Sequence, residues 1–187
     1  PIRALLLTPT RELSDQVADN ASLDAKHTDL RTAVVFGGVD IKPQAMTLRA
    51  GVEILIATPG LLLDHLGSKT ADLSQVQILV LDEADRMLDM GFLPDLQRII
   101  NLIPAQRQTL LFSATFSSAI KKLAQTYLRN PVTIEVARQN AAADTVNQVI
   151  HFVKSENKRA AIVAILQNRV KAGHTKQCII FTNSRLG

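Results

Sequence analysis

Six short apolar runs punctuate the chain, at Ala4–Thr8, Thr32–Phe36, Val52–Ala57, Ile78–Leu81, Thr109–Phe112 and Val132–Val136, with Gly, Pro, Asp or Ser signals after them. The runs are mostly continuous rather than alternating, the pattern of strands covered on both faces of a parallel sheet. Amphipathic stretches separate them. Arg11 to about His27 sets Leu13, Val17, Ala18, Ala21 and Leu23 near one helical face, and Leu93–Ile103 and Ser118–Leu128 carry apolar residues at steps of three and four. Parallel strands need crossover connections, and right-handed crossovers stack helices on both faces. The expected fold is α/β, a doubly wound parallel sheet with its ligand site at the carboxyl ends of the strands.

After Val136 the pattern lapses. Residues 137–146 are polar and alanine-rich and read as a linker between a domain over 1–136 and a second αβ pattern over 147–187. That pattern comprises a strand near Gln148–Val153, a helix near Lys158–Lys171 and a strand at Gln177–Thr182. About 40 residues cannot bury a full core, so they read as the beginning of another domain. In the last strand Cys178 is expected to be a core residue. As the single cysteine it has no internal disulfide partner, and His27, His65, His151 and His174 show no metal-ligand spacing with it.

No stretch approaches the roughly 18 unbroken apolar residues of a membrane span, and no charged and apolar leader opens the chain; a cytoplasmic protein without a membrane partner is expected. The net charge of +4 hides an asymmetry, because residues 1–135 carry 13 Lys+Arg against 15 Asp+Glu and residues 136–187 carry 8 against 2. A basic segment suits an anionic partner such as nucleic acid, and an ordinary solvated surface gives the same count.

The run ending in Val80-Leu81 leads into Asp82-Glu83-Ala84-Asp85, three carboxylates within four positions at a strand end. Like charges so placed repel unless a cation or a catalytic task stabilises them, and Mg²⁺ on a nucleotide would do so. A solvated acidic helix start is the plainer alternative. The other strand ends carry signatures too: Pro9-Thr10-Arg11-Glu12-Leu13 after the first, Gly37-Gly38 after the second, Thr58-Pro59-Gly60 after the third and Ser113-Ala114-Thr115 after the fifth.

In this order and at these spacings the signatures resemble the DEAD-box family of ATP-dependent RNA helicases, over essentially the whole chain. Arg86-Met87-Leu88-Asp89-Met90-Gly91-Phe92 and Ile134-Glu135-Val136-Ala137-Arg138 look most like the bacterial RhlE-like subgroup. The resemblance implies a RecA-like fold, ATP and Mg²⁺ as cofactors, and RNA, with other ribonucleoprotein components, as partner. It makes Asp82 the magnesium carboxylate, acting through nucleotide and water, and Glu83 the carboxylate that activates the attacking water. Asp85 would link the nucleotide site to Ser113 and Thr115, which would couple hydrolysis to strand separation. Pro9, Thr10, Arg11, Gly37, Gly38, Thr58, Pro59 and Gly60 would grip RNA, with backbone amides meeting phosphates at helix N-termini and Arg11 adding a charged contact. With no Trp and one Tyr, base-stacking platforms are scarce, so the backbone would be read rather than the sequence. Gln177 to Ser184 resembles the first motif of the family's second RecA-like domain.

The chain also departs from the family. It contains no G-x-x-x-x-G-K-[ST] phosphate loop and none of the arginine-bearing motifs of the second domain. It is therefore expected to be the central part of a longer enzyme, inactive by itself. Leu61 stands where the family has arginine, which weakens the RNA contact expected at that loop. A non-catalytic RNA-binding or scaffold module, and a DNA helicase or translocase of the same superfamily, are the rival readings.

Overall fold

The computed structural model describes residues 1–136, 149–173 and 178–181. The chain forms two compact units, Pro1–Gln139 and Asn140–Gly187. The linker expected at 137–146 lies outside the described residues.

The first unit is built on five strands, β1 (Ala4–Leu7), β2 (Thr32–Val35), β3 (Ile54–Ala57), β4 (Ile78–Leu81) and β5 (Gln108–Leu111). All neighbours pair in parallel, in the order β2-β3-β1-β4-β5, and Ala4, Ile54, Ile78, Thr32 and Gln108 share one register line. The strands therefore end level, and the five loops that follow them emerge along a single edge. The connecting helices are α1 (Arg11–Ala25), α2 (Ile41–Ala50), α3 (Pro59–Gly67), α4 (Ala84–Asp89) and α5 (Leu93–Ile100), with α6 (Ser118–Tyr127) after β5.

Right-handed crossovers put α1, whose connection runs from β1 out to β2, on one face and the connections running the other way on the opposite face. The core reflects this division. Leu5, Leu7, Val35, Leu55, Leu79 and Leu81 pack with Leu48 of α2, Leu62 of α3, Met87 of α4, Leu96 and Ile99 of α5 and Ile120 of α6, and no residue of α1 joins them. On the other face Ile56 is buried, whereas Leu6, Val34 and Val80 are half-buried; α1, which packs mainly against β2 and β3, covers this face only in part. The expectation of strands equally covered on both faces is thus corrected to one full face and one partial one.

Helix α1 buries a different stripe from the expected one. Leu23 is 68% exposed, while Ser14 and Ala25 are buried. At 100° per residue Ser14, Ala18, Ala21 and Ala25 form the true stripe, and Leu23 lies well off it.

Three expected strands are absent among the described residues. Val132–Val136 pairs with no strand among them, and Val132, Ile134 and Val136 are 86%, 82% and 98% exposed. In the second unit residues 149–153 and 178–181 form no strand; Gln148, Gln177 and Thr182 lie outside the described residues. A strand exists only as part of a ladder, and apolar β-branched composition cannot supply the partner. Cys178 is accordingly exposed rather than core. The expected helix is present as α7 (Lys158–Lys171), preceded by a 3-10 turn at Ser155–Asn157, and neither has a buried residue. Among the described residues no helix is long and apolar enough to cross a membrane.

His65, near the end of α3, is fully buried. Its Nδ1 lies 2.7 Å from the Thr70 hydroxyl, and Nε2 has no partner among the described residues. Desolvation lowers its pKa below 6.5, with Asp64 opposing weakly. The folded protein holds the ring neutral, and the unfolded chain takes up a proton once pH falls below about 6.5. Stability should therefore drop as pH falls through that value. His65→Leu should flatten the dependence of Tm on pH below about 6.5, since the Thr70 hydroxyl can still donate to the residue 65 carbonyl, 3.0 Å away. An unchanged slope would assign the effect elsewhere.

Candidate functional site

Each strand-end loop has its own local anchor. Thr10 caps α1, accepting from the Leu13 N–H at 3.4 Å. Beneath it Thr8 and Ser14, both fully buried, share a 2.6 Å hydroxyl contact, and the Ser14 hydroxyl donates to the Thr10 carbonyl at 3.0 Å. Arg11 projects outward, its guanidinium 4.7 Å from the centre of the Phe36 ring and its Nε 3.7 Å from Asp15.

In the second loop Gly38 has φ +83°, the left-handed region where a side chain is strained. The loop is held by Gln44, whose side-chain oxygen accepts the Phe36 N–H at 3.1 Å and whose amide donates to the Phe36 and Asp40 carbonyls at 3.3 and 3.2 Å. Helix α2, which carries Gln44, was not expected; Pro43 in its first turn suits a helix start and hides an otherwise weak pattern.

Thr58, Pro59 and Gly60 open α3. The Thr58 side chain makes no capping bond, Pro59 is buried in the first turn, and a Cβ at Gly60 would meet no atom within 4 Å. Leu61 is half-buried against the core. That packing gives the leucine a task that a charged head would not perform. Leu61→Arg is expected to lower stability by about 1 kcal/mol, its stem snorkelling along the same surface. An unchanged melting temperature would mean the packing contributes nothing.

The fourth and fifth loops are tied together. The Asp85 carboxylate accepts the Thr115 N–H and hydroxyl, each at 2.9 Å on Oδ2, and the Arg86 N–H at 3.0 Å on Oδ1. Partial burial alone would raise its pKa, but these hydrogen bonds outweigh it and hold Asp85 below the usual value, hence ionised at neutral pH. The Ser113 hydroxyl donates to the Thr115 carbonyl at 2.7 Å and stands close enough to Asp85 to help hold its pKa down. Asp82 places Oδ1 on the Glu83 N–H at 2.9 Å. Glu83 is exposed and left-handed, at φ 47° and ψ 51°. For a residue with a side chain that conformation costs about 1–2 kcal/mol, and such strain gathers at working sites.

Sheet order sorts these residues. β2, β3 and β1 lie side by side and carry Gly37-Gly38, Thr58-Pro59-Gly60 and Pro9-Thr10-Arg11; β4 and β5 carry Asp82 to Asp85 and Ser113 to Thr115. Phe36, Gln44, Thr8 and Ser14 were missed in the sequence. The last two had a visible signal, a serine four residues after a capping threonine, where its hydroxyl reaches the i−4 carbonyl.

No group of three or more His, Cys, Asp or Glu among the described residues could cage a metal. One or two carboxylates are what a Mg²⁺ shared with substrate phosphates requires, and the Oδ2 of Asp82 suits it, with the exposed Glu83 carboxylate beside it. Asp85, with both oxygens engaged, does not.

A family model described as "DEAD/DEAH box helicase" matches residues 1–123. The "DEAD-box ATP-dependent RNA helicase RhpA" of Helicobacter pylori is 38% identical over 184 residues, covering 98% of this chain and 37% of its own. The "ATP-dependent RNA helicase RhlB" of Pseudomonas putida is 40% identical over 186 residues, 98% of this chain and 46% of its own. The "ATP-dependent RNA helicase dbp2" of Schizosaccharomyces pombe is 41% identical over 182 residues, 97% of this chain and 33% of its own. The chain thus spans between about a third and a half of these relatives. A parallel sheet with its signatures along one edge, and a family model that matches from the first residue into α6, lead to one assignment: the chain belongs to the DEAD/DEAH box helicase family.

Proposed function

We propose that the full-length protein is an RNA-dependent ATPase that uses ATP binding and hydrolysis to separate short RNA duplexes. Residues 1–136 would form most of its first RecA-like domain, and 147–187 the beginning of the second. The observation that carries the reading is the division of the sheet edge into a row of helix starts and turns and a row of carboxylates and hydroxyls joined by Asp85 and Thr115.

On this reading the amides at the starts of α1 and α3, the left-handed turn at Gly38 and the Arg11 guanidinium hold the phosphodiester backbone of one RNA strand. The bareness of Gly60 leaves its amide open to a phosphate. Pro9, Gly37, Thr58 and Pro59 shape these turns. When bound, Mg²⁺ supplies charge neutralisation at the nucleotide phosphates. Asp82 would face it through water, its carboxylate aimed by the Glu83 N–H. Glu83, lifted out of the helix by its left-handed backbone, takes a proton from the attacking water. Asp85 carries the state of that site to Thr115 and, through the Thr115 carbonyl, to Ser113. RNA and its ribonucleoprotein assemblies, met in the cytoplasm, are the partners implied.

The test is the stimulation of ATP turnover in the full-length protein by single-stranded RNA against DNA of the same sequence. RNA should raise turnover and DNA should not, because the 2′-hydroxyl distinguishes them. Equal stimulation would indicate a DNA-active relative, and no turnover with either would favour the binding-module reading.

A further inference from the structure

The geometry points to Phe36 as a positioning residue for Arg11, one that turns three separate loops into a single RNA-binding surface. The proposal deepens the phosphate-gripping role of Arg11 proposed above and rests on it. An exposed arginine samples many rotamers, and ordering it on binding costs affinity. Here its guanidinium lies over an aromatic face at 4.7 Å from the ring centre, with Asp15 3.7 Å from Nε on one side. A guanidinium held over an aromatic ring keeps N–H groups free on its far side, and that planar fork suits two oxygens of a phosphodiester.

The ring is itself fixed. Phe36 is only 8% exposed, and Gln44 holds its backbone from both sides, meeting the N–H at 3.1 Å and the carbonyl at 3.3 Å. The two bonds also set the Gln44 amide, since only its oxygen can accept from an N–H. Rigidity passes from α2 through Gln44 to Phe36 and from the ring to Arg11. The sheet order adds the remaining step. Arg11 follows β1 and Phe36 follows β2, and β3 lies between them. The contact therefore spans the end of β3, where Thr58 begins α3, and holds the first and second loops in fixed relation across the third.

The experiment measures affinity of the full-length protein for a short fluorescent oligouridylate at low salt, for Phe36→Leu, Phe36→Trp, Arg11→Ala and the double variant Phe36→Leu with Arg11→Ala. Phe36→Leu should weaken binding about threefold to tenfold, and Phe36→Trp should restore it or improve on it. The double variant should bind no worse than Arg11→Ala alone, because Phe36 acts through Arg11. In parallel, the side-chain CH₂ protons of arginine-labelled protein should show an upfield ring-current shift for Arg11 that Phe36→Leu removes. Additive losses in the double variant, failure of Phe36→Trp to rescue, or an Arg11 shift indifferent to Phe36→Leu would each overturn the proposal. Unchanged affinity in Arg11→Ala, with the ring-current shift present and Phe36-dependent, would instead overturn the phosphate reading of Arg11 beneath it.

Discussion

Glu83→Gln in the full-length protein is expected to cut ATP turnover by about 10²- to 10⁴-fold, the range for loss of a positioned general base, while leaving nucleotide binding intact. The amide keeps the size of the side chain and cannot take a proton from water. The backbone sharpens the test. Because Glu83 sits at φ 47°, Glu83→Gly should be as inactive as the glutamine variant and more stable than the parent by about 0.5–1 kcal/mol, the left-handed strain being relieved against the entropic cost of glycine. Phosphate release and thermal melting measure the two. Loss of nucleotide binding in Glu83→Gln would give the residue a structural role, and a less stable glycine variant would show that no strain is held there.

The second large effect concerns stability. The outer edge of β5 is unpaired among the described residues, and a groove of about 990 Å³ runs beside it, lined by Ile103, Leu110, Phe112, Tyr127, Val132 and Ile134. An unpaired parallel edge beside a groove of mixed apolar and polar lining invites self-association. A chain lengthened to the size of its relatives, with an extended segment paired to β5, should melt about 10–20 °C higher than these 187 residues alone, since burying two large apolar side chains contributes roughly 3–6 kcal/mol. The 187-residue chain should in turn show concentration-dependent association by sedimentation. Equal melting temperatures and a monomeric short chain would count against an open slot.

That edge also marks where sequence reading failed. Ile78–Leu81 was found to the residue, and β1, β2, β3 and β5 to within two residues, because continuous apolar runs bounded by turn signals are local features. The strand expected at Val132–Val136 met the same criteria and is unpaired, since pairing depends on a neighbour that composition cannot reveal. The candidate site divides the same way. Asp82, Glu83, Asp85, Ser113 and Thr115 were legible as adjacent letters at strand ends. The Arg11 and Phe36 contact was not, for it joins residues 25 positions apart across an intervening strand. Leu61 was noticed as a departure, but its packing against the core belongs to tertiary structure alone.

The β1 and β4 ladder has a mechanical consequence. Ala4 to Leu7 face Ile78 to Leu81 in strict register, and the Asp82 N–H adds a further bond to the Leu7 carbonyl at 3.0 Å. This seam separates the loops proposed to hold RNA from those proposed to work on the nucleotide. A pull along the strands on one set of loops against the other loads all of these bonds at once, as shear, instead of peeling them one by one. The sheet then behaves as a stiff beam. Displacement within this unit is left to the segments beyond the ladder, 82–86 and 113–117, where Asp85 and Thr115 supply a join that can break and re-form without disturbing a strand.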